Sequence, residues 1–138
     1  MLLASILSGK GVVKAVAADQ PFLTDIPNSL RQWDRAHPIT AEVAHLMSPG
    51  GEVGRDEAAL RLAWKGLGLV DTLNHSHRLT MPTLLTAGAK DGSCPPSCVF
   101  NLFSRLPGTR SLTEEAGKGH DESVVFWRLA LAWFQTHV

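Results

Sequence analysis

The 138-residue sequence is short of several features that mark large protein classes. It has no excess charge, with 13 Lys and Arg against 13 Asp and Glu. It has no basic cluster either, so no nucleic-acid partner is expected. No apolar run approaches the roughly 20 residues a membrane span needs, so no membrane partner is expected. Two cysteines are too few for a disulfide framework, which fits a reducing compartment and a cytoplasmic location. Internal repeats and low-complexity tracts are absent. The N-terminal stretch MLLASILSGKGVVKAVAADQ starts apolar, but no basic segment precedes it, and Lys10 and Lys14 interrupt it. A signal peptide is therefore not expected.

What remains is an ordinary globular mixture, 44% apolar and 19% charged. A chain of this size forms one domain, here residues 1–138, and buries about 70% of its unfolded surface. Three apolar runs read as strands: VVKAVAA (12–18), TLLTAGA (83–89) and the more polar TRSLTEE (109–115). The first two lack polar alternation, which suits burial on both faces of a parallel sheet, and the third belongs near an edge. Helices are expected at 2–7, 96–106 and 122–138. The first is stopped by Gly9 and Gly11, and the second opens on prolines. In the last, Val125, Leu129, Ala132 and Trp133 form a stripe at helical spacing. Residues 20–80 show no strand. Helices are expected there at 27–35, 39–47, 55–66 and 70–77, with a loop at 48–54, as a helical insertion or cap. The class is α/β, with about three parallel strands that look like part of a larger sheet.

Two residues carry the chemistry. Asp91 directly follows the second strand, in an Asp-Gly turn. Alone it reads as a turn residue, but the carboxyl ends of parallel strands are where open α/β sheets place their sites. His120, in GKGHDES, follows the third strand. Asp and then His after successive strands is the order of the serine-hydrolase triad, Ser, Asp, His. Imidazole accepts the nucleophile's proton and returns it to the leaving group, and a buried carboxylate fixes its tautomer. The nucleophile should precede both on a G-x-S-x-G elbow, and no such motif occurs in the chain. The opening helix and strand are what should follow an elbow, so the serine is expected just before Met1.

A metal site is the rival reading. His75 and His77 in NHSH, with Cys94 and Cys98 in CPPSC, supply four candidate ligands. Two prolines stiffen the cysteine segment, the His pair would need extended backbone, and neither pair has a common zinc spacing. The expectation is no metal and no cofactor, with Cys94 and Cys98 as small buried or helical residues. His37, His45 and His137 read as solvated or capping.

Several segments resemble the acetyl xylan esterase/cephalosporin C deacetylase family of α/β-hydrolases. Its D-x-P-F-L segment is matched by Asp19 to Leu23. Its F-D-x-x-N-H-like segment is matched at Asp71, Asn74 and His75. Its G-x-x-D-x-x-C-P-P-S segment is matched by Gly88, Asp91, Cys94, Pro95, Pro96 and Ser97. A G-H-E-like motif is matched at His120, with Asp121 in place of Glu. The resemblance implies the C-terminal portion of an α/β-hydrolase fold, with Asp91 as triad acid and His120 as triad base. The family's elbow, G-G-S-Q-G-G, and its oxyanion-hole residues fall upstream of Met1. It also implies a small acetylated sugar or cephalosporin-like ester as substrate, no metal, and allows a homo-oligomer. The alternative is a non-catalytic fragment or pseudoenzyme that self-associates or binds a partner.

Overall fold

The computed structural model describes residues 2–8, 11–32 and 65–138. Helix α1 (Leu2–Leu7) leads into strand β1 (Val16–Asp19) and helix α2 (Ile26–Gln32). Residues 65–70 are helical and continue into a 3-10 helix (Thr72–Arg78). Strand β2 (Thr83–Gly88), helix α3 (Pro96–Arg105), strand β3 (Arg110–Glu115) and helix α4 (Val124–His137) complete the order. The expected helix 39–47, the loop 48–54 and most of the expected helix 55–66 lie outside the described residues. So do His37 and His45.

The strands form one parallel sheet in the order β1-β2-β3, with Val16 opposite Thr83 and Thr83 opposite Arg110. Side chains along a strand alternate between faces, and the core divides accordingly. Val16, Ala18, Leu85 and Ala87 face α1, the 3-10 helix and α3, packing with Leu2, Ile6, Leu73, Val99 and Leu102. Ala17 and Leu84 face the opposite side, against Phe126 and Ala130 of α4. Every residue of β2 is buried, including Thr83 and Thr86, whose hydroxyls donate to Met81 O and Asp19 Oδ1, while β3 is only partly covered. In α3, Pro96 suits the first turn, and Cys98, Val99 and Leu102 line the buried face. Full burial of Val99 and Leu102 stabilises by roughly 1.5–3 kcal/mol each.

Three details depart from the sequence expectations. The strand expected at 12–18 begins only at Val16, and Val12 lies in an exposed turn after Gly11, whose φ of 78° only glycine adopts readily. The helix expected at 70–77 is a 3-10 helix instead. Asp71 caps it by accepting from Leu73 N at 2.9 Å, and the same carboxylate also accepts from Asp25 N and Ile26 N, each at 2.8 Å. It therefore pins the start of α2 to this segment, a tertiary demand that outweighs helical periodicity. In α4 the buried stripe is Phe126, Leu129, Ala130 and Trp133, and Val125 and Ala132 face outward. With ten of the 14 positions of α4 apolar, hydropathy alone does not mark the inner face.

Candidate active site

Strand ends β2 and β3 carry the two residues singled out in the sequence. The chain leaves β2 through a tight turn in which Asp91 N donates to Gly88 O at 3.1 Å. Asp91 then receives two backbone donors from the turn that precedes α3. Its Oδ1 accepts from Ser93 N and from Cys94 N, both at 2.8 Å. His120 lies on the loop between β3 and α4, and its Nδ1 stands 2.9 Å from Asp91 Oδ2. The Asp91 side chain is 0% exposed and that of His120 is 52% exposed. A buried carboxylate demands partners, and three donors supply them. Because a carboxylate only accepts, His120 donates through Nδ1–H, which leaves the lone pair of the neutral ring on Nε2. Nε2 has no hydrogen bond among the described residues.

Three contacts hold the His120 loop where it is. Lys90 N donates to Lys118 O at 2.8 Å, tying the two loops together. Gly88 makes their close approach possible: a Cβ there would lie 2.6 Å from Gly119 O and 2.8 Å from Lys118 O, so any other residue would push the backbone away. From the end of β1, the Gln20 side-chain amide donates to Gly119 O at 3.2 Å and Asp121 O at 3.3 Å, the carbonyls on either side of His120. Gln20 is buried and has a φ of 44°, a strained conformation for a residue with a side chain. Its own N donates to Thr86 O at 3.1 Å, which helps hold that conformation. The loop ends at Ser123, whose hydroxyl donates to Glu115 and accepts from Phe126 N, capping α4.

The sequence motifs around these residues have mostly structural duties. Asp71 is buried under its three backbone donors. Asn74 donates to Gly68 O at 3.0 Å and the His75 ring bonds Leu69 O at 2.9 Å, so both hold segment 65–70. Among the described residues, neither His75 nor His77 joins a cysteine in a cluster of candidate metal donors. Cys98 Sγ instead meets Ser29 Oγ at 3.2 Å and Asn28 Nδ2 at 3.4 Å. His137 packs its ring on Trp133. Cys94 is buried, and burial pushes its thiol up to about 12, helped by the negative charges of Asp91 and Asp19. Among the described residues, the group of three metal-capable side chains is Asp91, Cys94 and His120, with donor atoms all within 4.8 Å of one another. A cavity of about 610 Å³ lies beside Val13, Thr80 and Met81, at the opposite strand ends, and takes no part in this site.

Sequence reasoning singled out Asp91 and His120, and the fold brings them into contact. It missed Gln20 and the steric need for Gly88. Both stood inside quoted motifs, but their roles depend on loops 30 to 100 positions away in the chain. No helix among the described residues is long and apolar enough to cross a membrane.

Known structures share this fold. An acetyl xylan esterase from a Paenibacillus species superposes with a TM-score of 0.84 at 20% identity, over 99% of this chain and 41% of its own. Acetyl xylan esterase 1 from a Thermoanaerobacterium species gives 0.78 at 24% identity, over 98% and 41%. A monoacylglycerol lipase from Paleococcus ferrophilus gives 0.63 at 17% identity, over 99% and 64%. At these identities the likeness carries the fold alone, and the chain spans about two fifths of the length of the two esterases. The sequence pattern is more specific: the acetyl xylan esterase family profile matches residues 2–138, and the chain belongs to that family.

Proposed function

We propose that the chain carries the acid and base of a serine carboxylic ester hydrolase that removes acetyl groups from small acetylated sugars or cephalosporin-like esters. The observation that carries the reading is the 2.9 Å bond between buried Asp91 and half-exposed His120 at the carboxyl edge of a parallel sheet. In this reaction His120 Nε2 takes the proton of a serine hydroxyl as the serine oxygen bonds the acetyl carbon. Asp91 holds Nδ1–H and stabilises the imidazolium. The imidazolium then protonates the departing alcohol, leaving an acetyl-enzyme. Water, activated by the same ring, releases acetate and restores the serine. No G-x-S-x-G occurs within these 138 residues, so the serine of this reaction would come from other polypeptide, and the family resemblance implies the same for the oxyanion donors. Residues 20–80 would shape the acyl or sugar pocket as a cap. The reading includes a cytoplasmic location and allows a homo-oligomer.

The test has two parts. The 138-residue chain alone should hydrolyse p-nitrophenyl acetate no faster than its His120→Ala variant. A polypeptide extended through an in-frame upstream elbow should release acetate from acetylated xylose, and His120→Ala should reduce that rate by about 10⁴-fold or more. Equal activity of the extended His120→Ala variant would overturn the proposal. A second reading, a non-catalytic fragment or pseudoenzyme that self-associates or binds a partner, is favoured by the outward Trp127, Leu131 and Phe134 of α4. Sedimentation at rising concentration tests it, and a compact monomer throughout would count against it.

A further inference from the structure

The Asp91 corner holds three kinds of metal donor that the ester reaction does not need as a set. We propose that Asp91, Cys94 and His120 form a binding site for a thiophilic divalent cation of the Zn²⁺ type, and that the cation competes with the Asp91–His120 hydrogen bond. The carboxylate, thiol sulfur and imidazole nitrogen lie within 4.8 Å of one another. Tetrahedral zinc, with bonds of about 2.0–2.3 Å, brings such atoms to roughly 3.2–3.7 Å of each other. The present spread of up to 4.8 Å is wider than that of a formed site, so binding requires the three side chains to draw together by about an ångström. The Asp91–His120 pair, at 2.9 Å, already stands near this spacing.

The surroundings favour the same conclusion. Asp91 Oδ1 is held by two backbone N–H groups, an outer shell that orients the carboxylate and leaves Oδ2 for the ion. Cys94 Sγ has no hydrogen bond among the described residues, whereas Cys98 Sγ has partners in Asn28 and Ser29. The half-exposed His120 ring is the solvent-facing side of the corner, and Asp91 and Cys94 lie buried behind it. An imidazole, thiolate and carboxylate set selects Zn²⁺, Co²⁺ or Cd²⁺ over Mg²⁺ or Ca²⁺.

The proton balance is simple. The Cys94 thiol proton leaves to solvent on coordination. If Nδ1 binds the ion, the ring proton moves to Nε2, and the acceptor lone pair needed for ester chemistry is lost. Under the proposed function the ion is therefore an inhibitor and not a cofactor, and only this consequence rests on that reading.

The experiment titrates the metal-free 138-residue chain with Zn²⁺ against a chromophoric zinc indicator, with Mg²⁺ in parallel. One Zn²⁺ should bind, and Cys94→Ser or His120→Gln should each weaken it by about tenfold or more. Cys98→Ser and His77→Ala should leave it unchanged. Loading with Co²⁺ should give a near-ultraviolet thiolate-to-cobalt band in the Cys98→Ser chain. That band reports Cys94 even if Cys94→Ser does not fold. Absence of Zn²⁺ binding, full binding in folded Cys94→Ser, or no thiolate band would each overturn the site. No ester enters these measurements, so failure here is distinct from failure of the hydrolase reading.

Discussion

Asp91 is held by the turn that contains it, but His120 depends on other parts of the chain. Two carbonyls flank the histidine, and the single amide of Gln20 bonds both. The clamp should be visible in the His120 ring. Gln20→Glu keeps the size but cannot donate, and Gln20→Ala removes the contact. Both should broaden or erase the downfield Nδ1–H resonance of the Asp91–His120 bond in proton NMR. In an extended, active polypeptide they should lower kcat by about 10–100-fold with KM little changed, as a misplaced catalytic group does. An unaltered resonance in both variants would show that the clamp is dispensable. Asp91 and His120 were legible from the sequence because their chemical type and their order after strands are local facts. Gln20 was not, because an amide that bonds loops about 100 residues away leaves no trace in spacing.

At the scale of elements, the site rests on how β3 hands over to α4. Ser123 stands at that junction, fully buried, with its hydroxyl donating to Glu115 and accepting from Phe126 N. Ser123→Ala removes the cap and leaves the Glu115 carboxylate without this donor, at a cost of about 1–2 kcal/mol. Urea unfolding followed by circular dichroism measures it, and a midpoint equal to that of the parent chain would contradict this account. The three strands and the helices α1, α3 and α4 were readable from apolar runs, prolines and glycines. The 3-10 helix was not, and the inner face of α4 was readable only at Leu129 and Trp133. The first is set by an Asp71 carboxylate shared with α2, and the second by which side of a mostly apolar helix meets Ala17 and Leu84.

For the whole molecule, exposed apolar surface is the dominant physical fact. Val124, Trp127 and Leu131 of α4 are each at least 60% exposed, and β1 pairs on one side only among the described residues. An unpaired strand edge and an apolar helix face both promote association. The 138-residue chain should therefore sediment as species heavier than a monomer, shifting with concentration, and Leu131→Lys with Trp127→Glu should reduce that association. A compact monomer at all concentrations, melting cooperatively, would count against both this expectation and the self-associating reading.

The sequence by itself determined the α/β class, the parallel strands and the pair Asp91 and His120. Hydrophobic periodicity, turn residues and the order of chemical types are written along the chain. The tertiary structure alone decided that the pair meets at 2.9 Å, that Gln20 and Gly88 set the loop that makes it meet, and that Cys94 joins them. These are matters of distance between strand ends, and distance depends on how β1, β2 and β3 lie side by side in the sheet.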